Sequence, residues 1–226
     1  MHGTLDGKRI LVTQADAFMG PAICEVLAEH GADVVASDAP LSEPGAAEQL
    51  VTESGALDAL VVNLALPAPP THAVDVTDEE WRQTFAVLVD PLPRLVRTAV
   101  PGMIARGRGK ILLISSASAL RGIRKTSTYS AARGAQLAYV QAVGVELAPH
   151  NIHVNAIAQN FVDNPTYFPR EVQENPRFQE RLAREVPLGR LLTARESAEF
   201  AAYLCSDAAD CFVGQVFPLC GGWVTR

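Results

Sequence analysis

Cysteine is scarce and unpatterned. Cys24, Cys205, Cys211 and Cys220 form no C-x-x-C pair and no zinc-ligand spacing. The expectation is free thiols packed as small hydrophobes in a cytoplasmic protein. The five histidines form no HExxH pattern, and no acidic partner pattern surrounds His150 and His153, so no metal site is expected. No apolar run exceeds six residues, Phe200 to Cys205, whereas a membrane span needs about twenty. The N-terminus reaches Lys8 and Arg9 without the apolar stretch of a secretory signal. Basic residues are outnumbered, 19 against 25 acidic, for a net charge of −6, which argues against a general nucleic-acid binder. Neither repeats nor low-complexity segments are present.

What is present is apolar residue in quantity. At 226 residues and 48% hydrophobic, the chain has too much apolar surface for disorder and enough length to bury a substantial core. Short Val/Ile/Leu-rich runs read as strands at Arg9–Thr13, Asp33–Ser37, Ala59–Asn63, Lys110–Ser115, His153–Ile157 and Gln215–Leu219. Helical patterns separate them. Gly20–His30 carries Ile23, Val26 and Leu27 on one face. Thr77 with Glu80 is a capping-box signature opening a long helix that Pro91 and Pro93 should bend or interrupt. Ser127–Pro149 is a second long helix, and Thr193 with Glu196 opens a third through Ser206. Alternation of this kind predicts one α/β domain over 1–226: a Rossmann-like, doubly wound parallel sheet of six or seven strands flanked by helices. The excursion from Ala158 to Pro187 follows a strand's carboxyl end, where α/β folds build substrate pockets.

Chemistry concentrates around the fourth strand. Ser116 follows its apolar run, and Tyr129 and Arg133 stand four apart on the next helix, sharing a face. A phenol in water titrates near 10, and a fixed cation nearby favours its anion. Arginine stays charged at any working pH, and a serine hydroxyl both donates and accepts. Together the three can take a proton from an alcohol. A Tyr-x-x-x-Arg pair alone is also a common structural helix pair.

The strand order, the Ser…Tyr-x-x-x-cation arrangement, Asp58–Asn63, Val154–Asn155, Pro187–Arg190 and Gly221–Gly222 resemble the short-chain dehydrogenase/reductase superfamily along essentially the whole chain. That resemblance implies a nicotinamide dinucleotide bound at a turn of the form Thr-Gly-x-x-x-Gly-x-Gly. Here the turn is Thr13 to Gly20, with Gln14 and Phe18 at the first two glycine positions. Glycine is needed there for the tight turn and the close backbone approach to pyrophosphate. Asp38 stands where a ribose-binding acid would be, and serves equally well as a turn residue. The superfamily's Lys is Arg133, its Pro-Gly after the fifth strand is Gln159-Asn160, and its middle-helix Asn corresponds to Asp90. Asp38 to Ala59 is too short for the usual extra edge unit, so an edge strand is expected to be missing.

Lost glycines together with a gained Arg are similar to halohydrin dehalogenases. Ile157–Phe168 looks like their halide-site loop, and Gly214–Trp223 like their C-terminal strand and turn. This resemblance implies no cofactor, with Ser116, Tyr129 and Arg133 catalytic. It implies a small halohydrin or epoxide plus a halide ion at Phe18, Gln159, Asn160, Phe161 and Val162. The halide would be met by backbone N–H groups of Asn160–Val162 and the Phe161 ring edge. It also implies a homotetramer, packed through the two long helices, with neither nucleic acid nor membrane as partner. The roles of Tyr167, Phe168 and Trp223 stay open, as does the choice between wall and core for Phe18. The alternatives are an NAD(P)-dependent dehydrogenase with an aberrant turn, and a catalytically inactive Rossmann-like binding protein.

Overall fold

The computed structural model describes residues 4–67 and 70–225. Strands β1 (Arg9–Thr13), β2 (Asp33–Ser37), β3 (Ala59–Asn63), β4 (Gly109–Ser116), β5 (Ile152–Gln159) and β6 (Val216–Leu219) form one six-stranded sheet. Its order is β2-β1-β3-β4-β5-β6, and every neighbouring pair is parallel. Only one helix, α2 (Ala46–Glu53), lies between β2 and β3, so among the described residues the sheet ends at β2 without a further edge strand.

Side chains alternate between the two faces, as strand geometry requires. Ile10, Val12, Val61, Leu112 and Ile114 pack with Ile23, Val26 and Leu27 of α1 (Gly20–Glu29) and with α8 (Ala194–Cys205). Leu11, Leu60, Val62, Ile111 and Leu113 face the other way. There they meet α2, α4 (Pro91–Arg106) and α5 (Ser127–Leu147). Each such aliphatic side chain contributes about 1.5–3 kcal/mol on burial. Burial on both faces makes these strands apolar runs rather than alternating ones.

The helix ends obey local chemistry. Thr193 and Glu196 form a complete capping box for α8. Thr77 caps α3 (Asp78–Leu88) by accepting from the Glu80 amide, while the Glu80 side chain lines a cavity described below. Pro91 has no N–H to continue the ladder, so α3 stops and α4 begins on that proline as a separate helix. After β5, two short helices, α6 (Arg170–Gln173) and α7 (Pro176–Glu185), cross the carboxyl edge of the sheet. A third apolar cluster underneath joins Leu182 and Val186 to Phe161, Cys220 and Trp223. Trp223 is therefore a buried packing residue, edge-on to Phe161 at 5.9 Å. The cysteines divide: Cys205 and Cys220 are buried, Cys24 is half-buried, and Cys211 is exposed rather than packed in the core.

Candidate active site

β4 and β5 run side by side to the carboxyl edge and end on the paired residues Ser116 and Gln159. Helix α5 starts nearby and presents Tyr129 in its first turn, with Arg133 one turn further on. A cavity of about 260 Å³ lies over these ends. Ser116 and Tyr129 line it, and so do Phe18, Gln159, Asn160, Phe161 and Val162. Arg133 does not reach the wall. It lies fully buried beneath it, its guanidinium carbon 5.0 Å from the centre of the Tyr129 ring.

Arg133 has an unusual set of partners. Its Nη1 donates to Gln136 Oε1 at 3.0 Å, and its Nη2 donates to the Leu64 carbonyl at 2.9 Å and to Tyr167 Oη at 3.3 Å. Its Nε has no partner, and among the described residues no carboxylate pairs with it. Desolvation works against the charge, but the phenol oxygens of Tyr129 and Tyr167 outweigh it and hold the guanidinium charged. An unneutralised cation thus sits under two phenols. They are not equivalent. Tyr167 is buried, which pushes its phenol well above the usual range, and its hydroxyl is tied to both the N–H and the carbonyl of Leu66. Tyr129 is half-buried and on the cavity wall.

Ser116 Oγ accepts from the Ser118 amide at 3.2 Å, which fixes its direction. The hydroxyls of Ser118 and Thr128, two further lining residues, are buried and have no partner within the described residues. Phe18 is both wall and core: it is 4% exposed, meets Tyr167 edge-on at 5.1 Å, and lines the cavity. Phe168 stacks on Phe161 at 5.8 Å.

Two expectations need correcting. The amides of Asn160 and Phe161 are engaged within the protein, donating to the Leu219 carbonyl at 3.1 Å and to Asn160 Oδ1 at 2.9 Å. The Phe161 turn has φ +54, and this local Asx bond takes the N–H that a halide would need. A halide there would have to rely on the Val162 amide and the ring edges instead. Asp90 also fails to reach the site; it is exposed between α3 and α4, 4.0 Å from Arg94. The buried polar position beneath Arg133 belongs to Gln136. Its amide accepts from Ser115 Oγ and donates to the Leu88 carbonyl. The signal was present in the sequence: Gln136 is one turn beyond Arg133 on the same helical face.

The crevice between β1 and β3, where the strand order reverses, is where such sheets bind dinucleotides. Here side chains close it. Gln14 Oε1 accepts from the Ala65 amide at 2.6 Å. Asn63 Nδ2 donates to the Gln14 and Ala17 carbonyls at 2.9 and 3.0 Å. Gln14 and Phe18 hold φ +45 and +54, so the backbone keeps a glycine-type conformation that costs side-chain-bearing residues on the order of 1–2 kcal/mol each. Gly20 is retained because a Cβ there would collide with the Gln14 and Ala15 carbonyls. The turn's donors are engaged too: the Phe18 amide donates to Thr166 Oγ1 at 2.8 Å and the Asp16 amide to Asp38 Oδ1 at 3.0 Å. Asp38 therefore works as a turn residue. Its carboxylate, by hydrogen bond and like charge, raises the Asp16 carboxyl above its ordinary value. Filled space, engaged amides and two adjacent acids do not fit a pyrophosphate.

A family model described as enoyl-(acyl carrier protein) reductase matches residues 7–224. A 2-keto-3-deoxy-L-fuconate dehydrogenase of Xanthomonas campestris pv. campestris is 30% identical, covering 97% of this chain and 81% of its own. A solved structure titled a dehalogenation enzyme is 31% identical with a TM-score of 0.92, covering 98% of this chain and 100% of its own. A solved halohydrin dehalogenase bound to ethyl (2S)-oxiran-2-ylacetate is 28% identical with a TM-score of 0.89, covering 97% and 99%.

Proposed function

The chain belongs to the short-chain dehydrogenase/reductase superfamily, and we propose that within it this protein is a halohydrin dehalogenase that works without a redox cofactor. One observation carries the reading: the fully buried guanidinium of Arg133, with no carboxylate partner among the described residues, beneath Tyr129. A buried charge costs several kcal/mol unless an opposite charge compensates it. A phenolate at Tyr129 would supply that charge at the cavity wall.

In the reaction Tyr129, as phenolate, takes the hydroxyl proton of a vicinal halohydrin. Ser116 donates a hydrogen bond to the same oxygen and orients it. The oxygen keeps the electron pair of the broken O–H bond and attacks the neighbouring carbon from the side opposite the halogen. The new C–O bond closes an epoxide as the carbon–halogen bond breaks, and halide leaves with that bond's electron pair. Tyr129 then returns its proton to solvent. Electrons are conserved between substrate and products, so no hydride is transferred. The departing halide would sit against Phe18, Gln159, Asn160, Phe161 and Val162, where exclusion of water strengthens the electrostatics. By microscopic reversibility the site opens epoxides with small anions such as azide, cyanide or nitrite.

The dehalogenation enzyme and the halohydrin dehalogenase, whose bound ligand is an epoxide, support this reading. The dehydrogenase names among the relatives favour a second one, an NAD(P)-dependent oxidoreductase. Chloride release from 1,3-dichloro-2-propanol with no nicotinamide added separates them. Substrate-dependent NAD(P)H turnover without halide release would contradict the dehalogenase. An inactive binding protein would give neither signal. We further propose a homotetramer packed through α3 with α4 and through α5, on which Trp81, Ile104 and Val145 are 43%, 40% and 69% exposed in the single chain.

A further inference from the structure

We propose that the cavity takes a substrate carrying a carboxylate, gripped by Lys125 and Arg181. Both side chains line the cavity, together with a single acidic residue, Glu80. A cleft sharing Ile123 and Arg181 with it adds Arg121, Arg124 and Arg184 against Glu185. The chain as a whole carries −6, yet positive charge concentrates on the wall of this cavity and in the cleft beside it.

Most of that charge is not neutralised. Arg181 and Arg184 share the Glu185 carboxylate, each at 3.2 Å. Arg121 donates to the Trp223 carbonyl at 2.8 Å and lies over its ring, neither of which removes its charge. Among the described residues, Lys125 and Arg124 make no ion pair. Cations set around a low-dielectric recess focus their field into it and raise the local concentration of anions. Lys125 also holds φ +63, a conformation uncommon for a residue with a side chain. Strain of this kind gathers at binding sites. At about 260 Å³ the cavity limits the guest to a small acid with its reacting carbons near Tyr129.

A free halide or anionic nucleophile would respond to the same field, so the test compares an acid with its own ester. The turnover arm rests on the halohydrin reading; the binding arm does not. For binding, the intact protein is titrated calorimetrically with 3-hydroxybutanoate and with its ethyl ester. For turnover, chloride release is followed from 4-chloro-3-hydroxybutanoate and its ethyl ester. The acid is expected to exceed the ester by about tenfold in affinity and in kcat/KM, the range of one charged hydrogen bond. That ratio is expected to collapse toward one in Lys125→Gln and Arg181→Gln, and to shrink with added salt. Circular dichroism confirms that each variant is folded, and either variant alone suffices for the comparison. A wild-type ratio at or below one overturns the proposal. So does a ratio untouched by the substitutions, or an equal slowing of acid and ester, which would assign the cations to the small anion. Acid-selective binding with no halide release from either compound would sink the dehalogenase reading and leave the carboxylate site standing.

Discussion

Replacing Arg133 with Met is expected to cut activity sharply and leave the fold intact. The guanidinium carbon lies 5.0 Å from the Tyr129 ring centre. At about that separation and an effective dielectric of about 20, opposite unit charges attract by about 3 kcal/mol. Loss of the cation should therefore lower kcat/KM about a hundredfold, since each factor of ten is about 1.4 kcal/mol. The stability terms oppose one another. Methionine would leave the Leu64 carbonyl without its 2.9 Å bond, and a buried acceptor left unpaired costs about 1–3 kcal/mol. It would also remove a fully buried cation that has no carboxylate partner among the described residues, relieving a desolvation penalty of several kcal/mol. The balance is neutral to stabilising. Thermal unfolding and chloride release across pH measure both sides. We expect a Tm no more than about 3 °C below wild type, about 1 kcal/mol for a domain of this size. Arg133→Lys should fall between wild type and Met, because lysine keeps the charge and loses the planar fork. A folded Met variant that keeps kcat/KM within about threefold of wild type, well under 1 kcal/mol, would show that the cation does not support an anionic Tyr129. A large drop in Tm would show that the guanidinium acts mainly as a structural tie.

Phe18→Ala should destabilise the protein by about 3 kcal/mol, typical of a buried Phe truncation, and shift substrate preference toward larger halohydrins. Phe18→Gly should recover about 1 kcal/mol of that loss by relieving the left-handed backbone, which paired denaturation curves would reveal; equal midpoints would refute the strain argument. Glu196, held down to about 2 by Arg190, ordinarily titrates at 4.5. A lowered folded value means stability that is full above 4.5 and lost as pH falls toward 2. Acid titration of Glu196→Gln should lack that component, and an unchanged acid limb would contradict it. Cys205 is buried, its thiol pushed up to about 12, whereas Cys211 is exposed. A thiol reagent should label Cys211 first and reach Cys205 and Cys220 only on unfolding; rapid native labelling of all four would contradict the packing.

The sequence carried the central strands well because burial on both faces turns them into bare apolar runs, whereas the edge strand β2 stays half-exposed around Val34 and Val35. β1, β2 and β3 coincide with the runs Arg9–Thr13, Asp33–Ser37 and Ala59–Asn63. Pro91 likewise marked the break between α3 and α4. The meeting of Ser116 with Tyr129 was legible because a strand end and a helix start flank one short loop. What was not legible depends on partners far apart in the chain. Nothing local says that Gln14 will bond Ala65, 51 residues away, and so close the crevice rather than merely decorate it. The engagement of the Asn160 amide depends on β6 arriving beside β5. Lys110, at the start of β4, is buried and paired with Asp210, a hundred residues further along the chain. The pair of cations on the cavity wall, Lys125 and Arg181, comes from two segments that meet only in the fold.

In the proposed reaction Tyr129 takes a proton from a halohydrin with no hydride transfer. Halide release from 1,3-dichloro-2-propanol in nicotinamide-free buffer, comparing wild type with Tyr129→Phe, reads out that step. The phenyl ring keeps the packing and removes only the oxygen. Release by wild type and its loss by about a hundredfold or more in the Phe variant, within the range of general-base catalysis, is the predicted result. A Phe variant that retains most of the wild-type rate, or a wild type that releases no halide until a nicotinamide is supplied, would rule out Tyr129 as the base of a cofactor-free dehalogenation.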